Sequence, residues 1–197
     1  MMFGGLAAMA GYVGDTFVLA QALVMMGAIA GFLVWNYPRG KVFLGDAGAY
    51  FLGFMYAELS IQLVARNPGI SAWFVIALAA YPIVETLYSI YRRKLVLRTE
   101  SMQPDAGHLH SLIFHRLVMR AHSAHAKESV RRANARVAPR VWLHGAVCLA
   151  AALVLHAYTV ALIGFTILYA VAYIVSYRSW AVASEGVARV EQRETRG

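Results

Sequence analysis

Apolar runs about as long as a bilayer is thick constrain this chain more than any other feature of its sequence. A helix needs about 20 mostly apolar residues to cross the hydrocarbon core, and every backbone N–H and C=O in it must be paired within the segment. Phe17 to Trp35, Val42 or Ala49 to Ala65, Ser71 to Tyr91, Val141 to Tyr158 and Val160 to Tyr177 all read as spans. Met1 to Val13 is apolar as well, but the turn Gly14-Asp15-Thr16 ends it short of a full span, like a helix whose beginning is missing. The expected fold class is all-α: a polytopic transmembrane helix bundle of about five full spans plus a partial first helix, with a cytoplasmic loop carrying a short amphipathic helix.

Charge placement orients this bundle. The 197 residues are 60% hydrophobic and 14% charged, against about 25% charged in soluble domains. The 18 Lys and Arg outnumber the 10 Asp and Glu, a surplus that would suggest nucleic acid in a soluble protein. Most of them, however, lie between apolar runs in one stretch from Arg92 to Arg140, which argues for no nucleic acid partner. Basic residues collect in cytoplasmic loops. With alternating spans, every basic residue except Arg66 falls on one side, so the Asn36–Lys41 loop, the Arg92–Arg140 loop and the tail face the cytoplasm. The turns at Gly14–Thr16 and Arg66–Ile70 then face outward, with Asp15 as a turn residue. The chain divides into helices over 1–91, a basic loop over 92–140, a helix pair over 141–177 and a tail over 178–197. Cys148 alone can form no internal disulfide and no cysteine metal cluster. Met1 to Leu6 has no basic leader and no small-residue cleavage site, so it does not read as a signal peptide.

Asn36 to Gly53 places Asp46 between the basic loop residues Arg39 and Lys41 and an apolar run. A carboxylate at that border is expensive to dehydrate and has to be paired, hydrated, metal-bound or at a helix cap. Two readings stand: Asp46 caps the next helix by accepting from its first free N–H groups, or it holds a divalent metal facing a phosphate. Two further acids lie within spans. Glu85, one turn after Pro82, reads as an interhelical hydrogen bond or ion pair, with substrate or proton handling as the alternative. Glu58, one turn from Phe54 and from Gln62, reads as a bundle-facing polar contact, with a small ion-coupled transporter as the alternative.

Met102 to Arg120 carries a helix-start signal at Pro104-Asp105 and an apolar stripe of Leu109, Leu112, Ile113 and Leu117. His108, Ser111 and His115 share another face, and His110 joins His108 only if the helix start is irregular. Zinc would need a His-Glu-x-x-His pattern or a cysteine pair, and neither is present. Histidines beside arginines suit phosphate recognition through charge-assisted hydrogen bonds. The bland alternative, a solvated basic loop, covers Arg131, Arg132, Arg136, His122, His125 and His144. His156, inside a span, reads as an interhelical contact.

Two motifs together resemble a known family. Val42-Phe43-Leu44-Gly45-Asp46-Ala47-Gly48 is similar to the VF-[ML]-GD-[AT]-G signature of the polyprenyl-phosphate N-acetylhexosamine-1-phosphate transferases, and Pro104 to His110 resembles their cytoplasmic PDxxHxHH loop. Pro82 to Thr86 followed by Tyr91-Arg92-Arg93 resembles the span leading into that loop. The family includes the enzymes that initiate enterobacterial common antigen and O-antigen synthesis, the teichoic-acid linkage enzyme and the peptidoglycan translocase.

The resemblance implies transfer of a sugar 1-phosphate, N-acetylhexosamine 1-phosphate, from a UDP-sugar to undecaprenyl phosphate at the cytoplasmic face of the bacterial inner membrane. By similarity Asp46 is the catalytic magnesium (or manganese) ligand, and His108 and His110 belong to the nucleotide-sugar loop. Lys41 and Arg116 are candidate phosphate contacts, and Asn36 orders the loop before Asp46 or is a turn residue. Ser111 stands where the family often has a third histidine. The family's aspartate-rich DDxxD and NxxDGxxGL motifs do not occur in this chain. The resemblance therefore implies the C-terminal half of such an enzyme, inactive without a missing N-terminal half or a homodimer partner. The alternative is a non-catalytic membrane remnant or assembly protein.

Overall fold

The structure is a computed structural model that describes residues 1–38, 40–97, 109, 111–114 and 126–194. All regular structure among these residues is helical: α1 (Met2–Val13), α2 (Thr16–Asn36), α3 (Gly45–Arg66), α4 (Ala72–Leu78), α5 (Ala80–Tyr91) with a π-helical continuation Arg92–Leu97, α6 (Ala126–Leu155) and α7 (Thr159–Glu194). Residues 109 and 111–114 are helical as well. Four helical segments are long and apolar enough to cross a membrane: Thr16–Asn36, Gly45–Arg66, Ala135–Leu155 and Thr159–Ser179. A bent pair, Ala72–Leu78 with Ala80–Lys94, makes a fifth if it counts as one span. The chain is a multi-pass membrane helix bundle, and α1 is the short first helix that its sequence predicts.

The helices differ from their predicted extents in two places. The basic loop is expected to run to Arg140, but α6 already begins at Ala126 and carries Pro139 within it. The helix pair is expected to end at Tyr177, with a tail from Arg178, but α7 continues through that tail to Glu194. In both cases the polar residues extend an apolar span by several turns. Once a span supplies the costly first turn, each added residue gains a hydrogen bond.

Two compact units emerge from the packing. The first comprises residues 1–81 and 142–166. Its core holds Leu6, Val18, Ala22, Leu59, Leu63 and Phe74, all fully buried. The Phe3 and Tyr56 rings meet edge-on at 6.1 Å, and the Tyr56 hydroxyl donates to the Val75 carbonyl at 2.7 Å. Exposed apolar residues such as Val24, Val34 and Phe51 cover the outside, as expected for helices facing lipid rather than water.

The second unit comprises residues 82–141 and 167–197. Here α5 meets the C-terminal part of α7 through tyrosines, with the Tyr88 ring 4.8 Å from Tyr177 and 6.4 Å from Tyr173. The Arg92 guanidinium lies 5.9 Å over the Tyr177 ring.

Helix α4 stops at Leu78 and α5 starts at Ala80, with a 70° bend between them. Pro82 explains the position of this break. A proline has no N–H for the carbonyl four residues earlier, and its ring clashes with that carbonyl. For Pro82 that residue is Leu78, the last of α4. The bend expected at Pro82 is therefore displaced one turn toward the N-terminus.

Candidate functional site around Asp46

The loop between α2 and α3 is organised by Asn36. Its side-chain Nδ2 donates to the Val42 carbonyl at 2.6 Å, and its own carbonyl accepts from Gly40 N–H. The Lys41 N–H reaches the Trp35 carbonyl at 3.3 Å, and its Nζ lies 5.8 Å over the Trp35 ring. Tyr37 packs on Trp142 of α6 at 5.0 Å between ring centroids. Of the two readings of Asn36, this geometry matches the one in which it orders the loop.

Two glycines let α3 start where it does. Gly45 has φ 68°, a left-handed conformation that costs an L-residue with a side chain about 1–2 kcal/mol. At Gly48 a Cβ would fall 2.7 Å from Leu44 Cδ1 and 2.8 Å from Leu44 Cγ. The spacing Gly45-Asp46-Ala47-Gly48 therefore has a steric meaning: the first glycine turns the chain and the second leaves room for Leu44.

Asp46 stands in the first turn of α3 and is exposed. The residue at the capping position is Leu44, and no side chain caps the helix. The capping reading of Asp46 is therefore not met. The helix N-terminus, with its unpaired N–H groups, still favours a negative charge there. Among the described residues Asp46 takes part in no ion pair.

A divalent cation of the magnesium type needs hard oxygen ligands, and it is usually held by one or two carboxylates together with waters and substrate phosphates. Asp46 fits that donor set as a single exposed carboxylate. Among the described residues no group of three His, Cys, Asp or Glu could enclose a metal, so a closed all-protein cage is not built from them. His108, His110 and Arg116 lie outside the described residues, as does Arg39. Of the site candidates, Asn36 and Lys41 belong to the ordered turn before α3 and Asp46 to the first turn of α3.

The intramembrane acids have partners. Glu58 Oε1 accepts from Gln62 Nε2 at 2.7 Å, and Gln62 Oε1 accepts from Gln21 Nε2 at 3.3 Å, a chain that joins α3 to α2. That is the bundle-facing contact expected of Glu58. Glu85 Oε1 accepts from the N–H of Leu109, itself helical, at 3.2 Å, the kind of interhelical hydrogen bond expected of it. His156 Nδ1 lies 2.8 Å from the Leu153 carbonyl, and its ring packs on Tyr12 at 5.2 Å, an interhelical contact as expected. His144 departs from the solvated-loop reading, because it lies on α6 with its ring stacked on Tyr81 at 5.3 Å.

Asp15 is the residue that sequence reasoning undervalued. Its carboxylate caps α2 through Val18 N–H at 3.2 Å, accepts from Arg66 Nε at 2.8 Å and accepts from Asn67 Nδ2 at 3.0 Å. Asp15 immediately before an apolar run is a cap signature, and Arg66 is the one basic residue that the expected alternation of spans sets apart from the others. That pairing of signals could have found the contact.

Comparison with known proteins places sequence similarity over the same region. Residues 1–64 match the profile described as "Glycosyl transferase family 4". The chain is 32% identical over 106 residues to the probable undecaprenyl-phosphate N-acetylglucosaminyl 1-phosphate transferase of Bacillus subtilis, covering 53% of this chain and 28% of the relative. It is 35% identical over 83 residues to the undecaprenyl-phosphate alpha-N-acetylglucosaminyl 1-phosphate transferase of Thermotoga maritima, covering 42% and 27%. It is 33% identical over 114 residues to the decaprenyl-phosphate N-acetylglucosaminephosphotransferase of Mycolicibacterium smegmatis, covering 52% and 27%. The chain thus spans a little over a quarter of the length of these relatives. No solved structure matches it.

Proposed function

We propose, from the premise that residues 1–64 of this chain belong to glycosyl transferase family 4, that it contributes the Asp46 side of a membrane sugar-1-phosphate transferase. The donor is a UDP-sugar, with N-acetylhexosamine as the sugar, and the acceptor is undecaprenyl phosphate. An acceptor phosphate oxygen bonds to the sugar-bearing phosphorus as that phosphorus loses its bond to UMP. The products are a lipid pyrophosphate-linked sugar, which initiates a cell-envelope polysaccharide, and UMP. The active face is cytoplasmic, in the bacterial inner membrane, because the basic residues flanking the site follow the positive-inside distribution.

The observation that carries this reading is the exposed, uncapped Asp46 at the start of α3, set there by Gly45 and by the Asn36 strap. Asp46 would hold Mg2+ or Mn2+, and a bound divalent cation supplies charge neutralisation where two anionic phosphates must approach. Lys41, on the same loop, places a cation near the incoming phosphates. His108 and His110, with Arg116, serve the nucleotide-sugar from the segment after α5.

A second reading, a non-catalytic assembly protein, draws on the absence of any three-residue metal-binding group among the described residues. The two separate in one experiment. The chain is co-expressed with the N-terminal part of a full-length relative, and UMP release is followed with UDP-N-acetylglucosamine, undecaprenyl phosphate and Mg2+. The transferase reading expects turnover that Asp46→Asn lowers about 100-fold, equivalent to about 2.7 kcal/mol of barrier. Equal rates with and without the substitution would support the assembly reading.

A further inference from the structure

The end of the first unit that lies away from Asp46 holds a cavity of its own. Asp46 is in the first turn of α3 and Arg66 in the last, about 30 Å apart along the helix at about 1.5 Å per residue. The cavity, about 340 Å³, lies beside Arg66 and the turn that follows it. Met9, Tyr12 and Val13 of α1 and Ile70 form apolar walls, and Arg66 and His156 supply charge and polarity. That volume is within the range of small-molecule sites, about 300–1,000 Å³.

Both polar side chains are oriented by bonds outside the cavity. Arg66 gives Nε and Nη2 to Asp15, and Nη1 has no acceptor among the described residues. A guanidinium held in this way keeps N–H donors for a phosphate oxygen. His156 Nδ1 lies 2.8 Å from the Leu153 carbonyl. A carbonyl only accepts, so Nδ1 carries the proton and the neutral imidazole presents the lone pair of Nε2. Nε2 has no partner among the described residues. The cavity therefore offers a cationic donor and, separately, a neutral acceptor.

Its level in the membrane narrows what can fill it. Arg66 ends a segment long enough to span the bilayer, and Tyr12 and Tyr158 at the same end are 74% and 69% exposed. Tyrosines at such a border sit at the height of lipid headgroups. A phosphodiester that carries a hydrogen-bond donor beyond its phosphate matches both polar groups, and acyl chains match the apolar walls.

We propose that this cavity binds a phospholipid headgroup: Arg66 takes the phosphate, His156 Nε2 accepts from an ammonium or hydroxyl beyond it, and Met9, Val13 and Ile70 meet the start of the chains. The occupant is independent of the chemistry at Asp46.

The test uses the full chain purified in detergent at about pH 8, where an ordinary imidazole is neutral. A fluorescent-acyl phosphatidylethanolamine is titrated in and displaced by unlabelled compounds. Phosphatidylethanolamine and phosphatidylglycerol should compete within about threefold of each other, and phosphatidylcholine, whose headgroup has no N–H or O–H, at least about tenfold less well. Diacylglycerol, without phosphate, should compete more weakly still. Glycerophosphoethanolamine has the headgroup without the chains, and competition by it equal to that of the lipid would overturn the lipid assignment.

His156→Phe keeps a ring against Tyr12 and should lower phosphatidylethanolamine affinity to that of phosphatidylcholine, with the latter changed less than about threefold. Arg66→Gln should weaken all three phospholipids at least about tenfold. This variant also loses the Asp15 ion pair, so if it does not fold, the lipid series and His156→Phe decide the matter. Equal affinity for phosphatidylethanolamine and phosphatidylcholine, or a preference that survives His156→Phe, would overturn the proposal.

Discussion

Arg66 Nε donates to Asp15 Oδ2 at 2.8 Å, joining the turn between α1 and α2 to the end of α3. Arg66 also covers the Phe17 ring at 4.9 Å, so one side chain closes this end of the first unit by charge and by packing. The Arg66 hydrogen bond holds the Asp15 carboxyl at about 2, aided by Asn67 and by the Val18 N–H and opposed by burial.

The sign of the resulting pH dependence follows. A carboxyl whose folded pKa lies below its unfolded value contributes stability above the unfolded value and loses it as pH falls through the folded one. The contribution of Asp15 is therefore complete above about pH 4 and fades between about 4 and 2. Asp15→Asn should lower the melting temperature in detergent at pH 7 and at pH 5 equally, with a gap that narrows below pH 4. A gap unchanged down to pH 2.5 would show that the carboxylate charge is not involved.

Gly45 and Gly48 should respond differently to alanine. Gly45→Ala forces a side chain into a left-handed residue and should cost about 1–2 kcal/mol with no rescue from a neighbour. Gly48→Ala collides with Leu44, whose side chain is 40% exposed and can swing away. Leu44→Ala should therefore restore most of the stability lost in Gly48→Ala and none of that lost in Gly45→Ala. A double-mutant cycle on chemical denaturation measures both.

Removing the Asn36 amide should loosen the loop more than it destabilises the fold. The bond to Val42 is exposed, so Asn36→Ala should cost only about 0.5–1.5 kcal/mol globally. Limited proteolysis between residues 37 and 44 should nevertheless speed up several-fold in Asn36→Ala. Asn36→Asp should behave alike, because a carboxylate has no N–H to give the Val42 carbonyl. Unchanged cleavage in both variants would remove Asn36 from the organisation of the loop.

The polar chain Gln21–Gln62–Glu58 predicts unequal effects along its length. Gln62 makes both bonds, one within α3 and one to α2, so Gln62→Leu should cost more than about 0.6 kcal/mol, the average for a single hydrogen bond between membrane helices. Gln21→Leu removes only the longer bond and should cost less. Thermal unfolding of the two variants in the same detergent gives the order, and the reverse order would contradict the arrangement.

Much of the fold was legible because the bilayer sets a length that sequence either meets or misses. The spans at α2, α3 and α7 needed only runs of apolar residues, and the break after Leu78 needed only Pro82. The site was legible in part. Gly45 and Gly48 marked a tight turn and a close approach beside Asp46, and the structure has both. The role of Asp15 was not legible, because its donor Arg66 lies far away in the sequence; for Glu85 a hydrogen bond was legible, but not that the Leu109 N–H gives one.

The sequence by itself determined that this chain is a membrane helix bundle, because hydrophobic length acts residue by residue. Tertiary structure decided which distant donors reach these polar groups: Arg66 reaches Asp15, the Leu109 N–H reaches Glu85, and Gln21 joins the Glu58–Gln62 pair from α2. A hydrogen bond exists only when donor and acceptor come within about 3 Å, and that distance is a property of packing, not of composition.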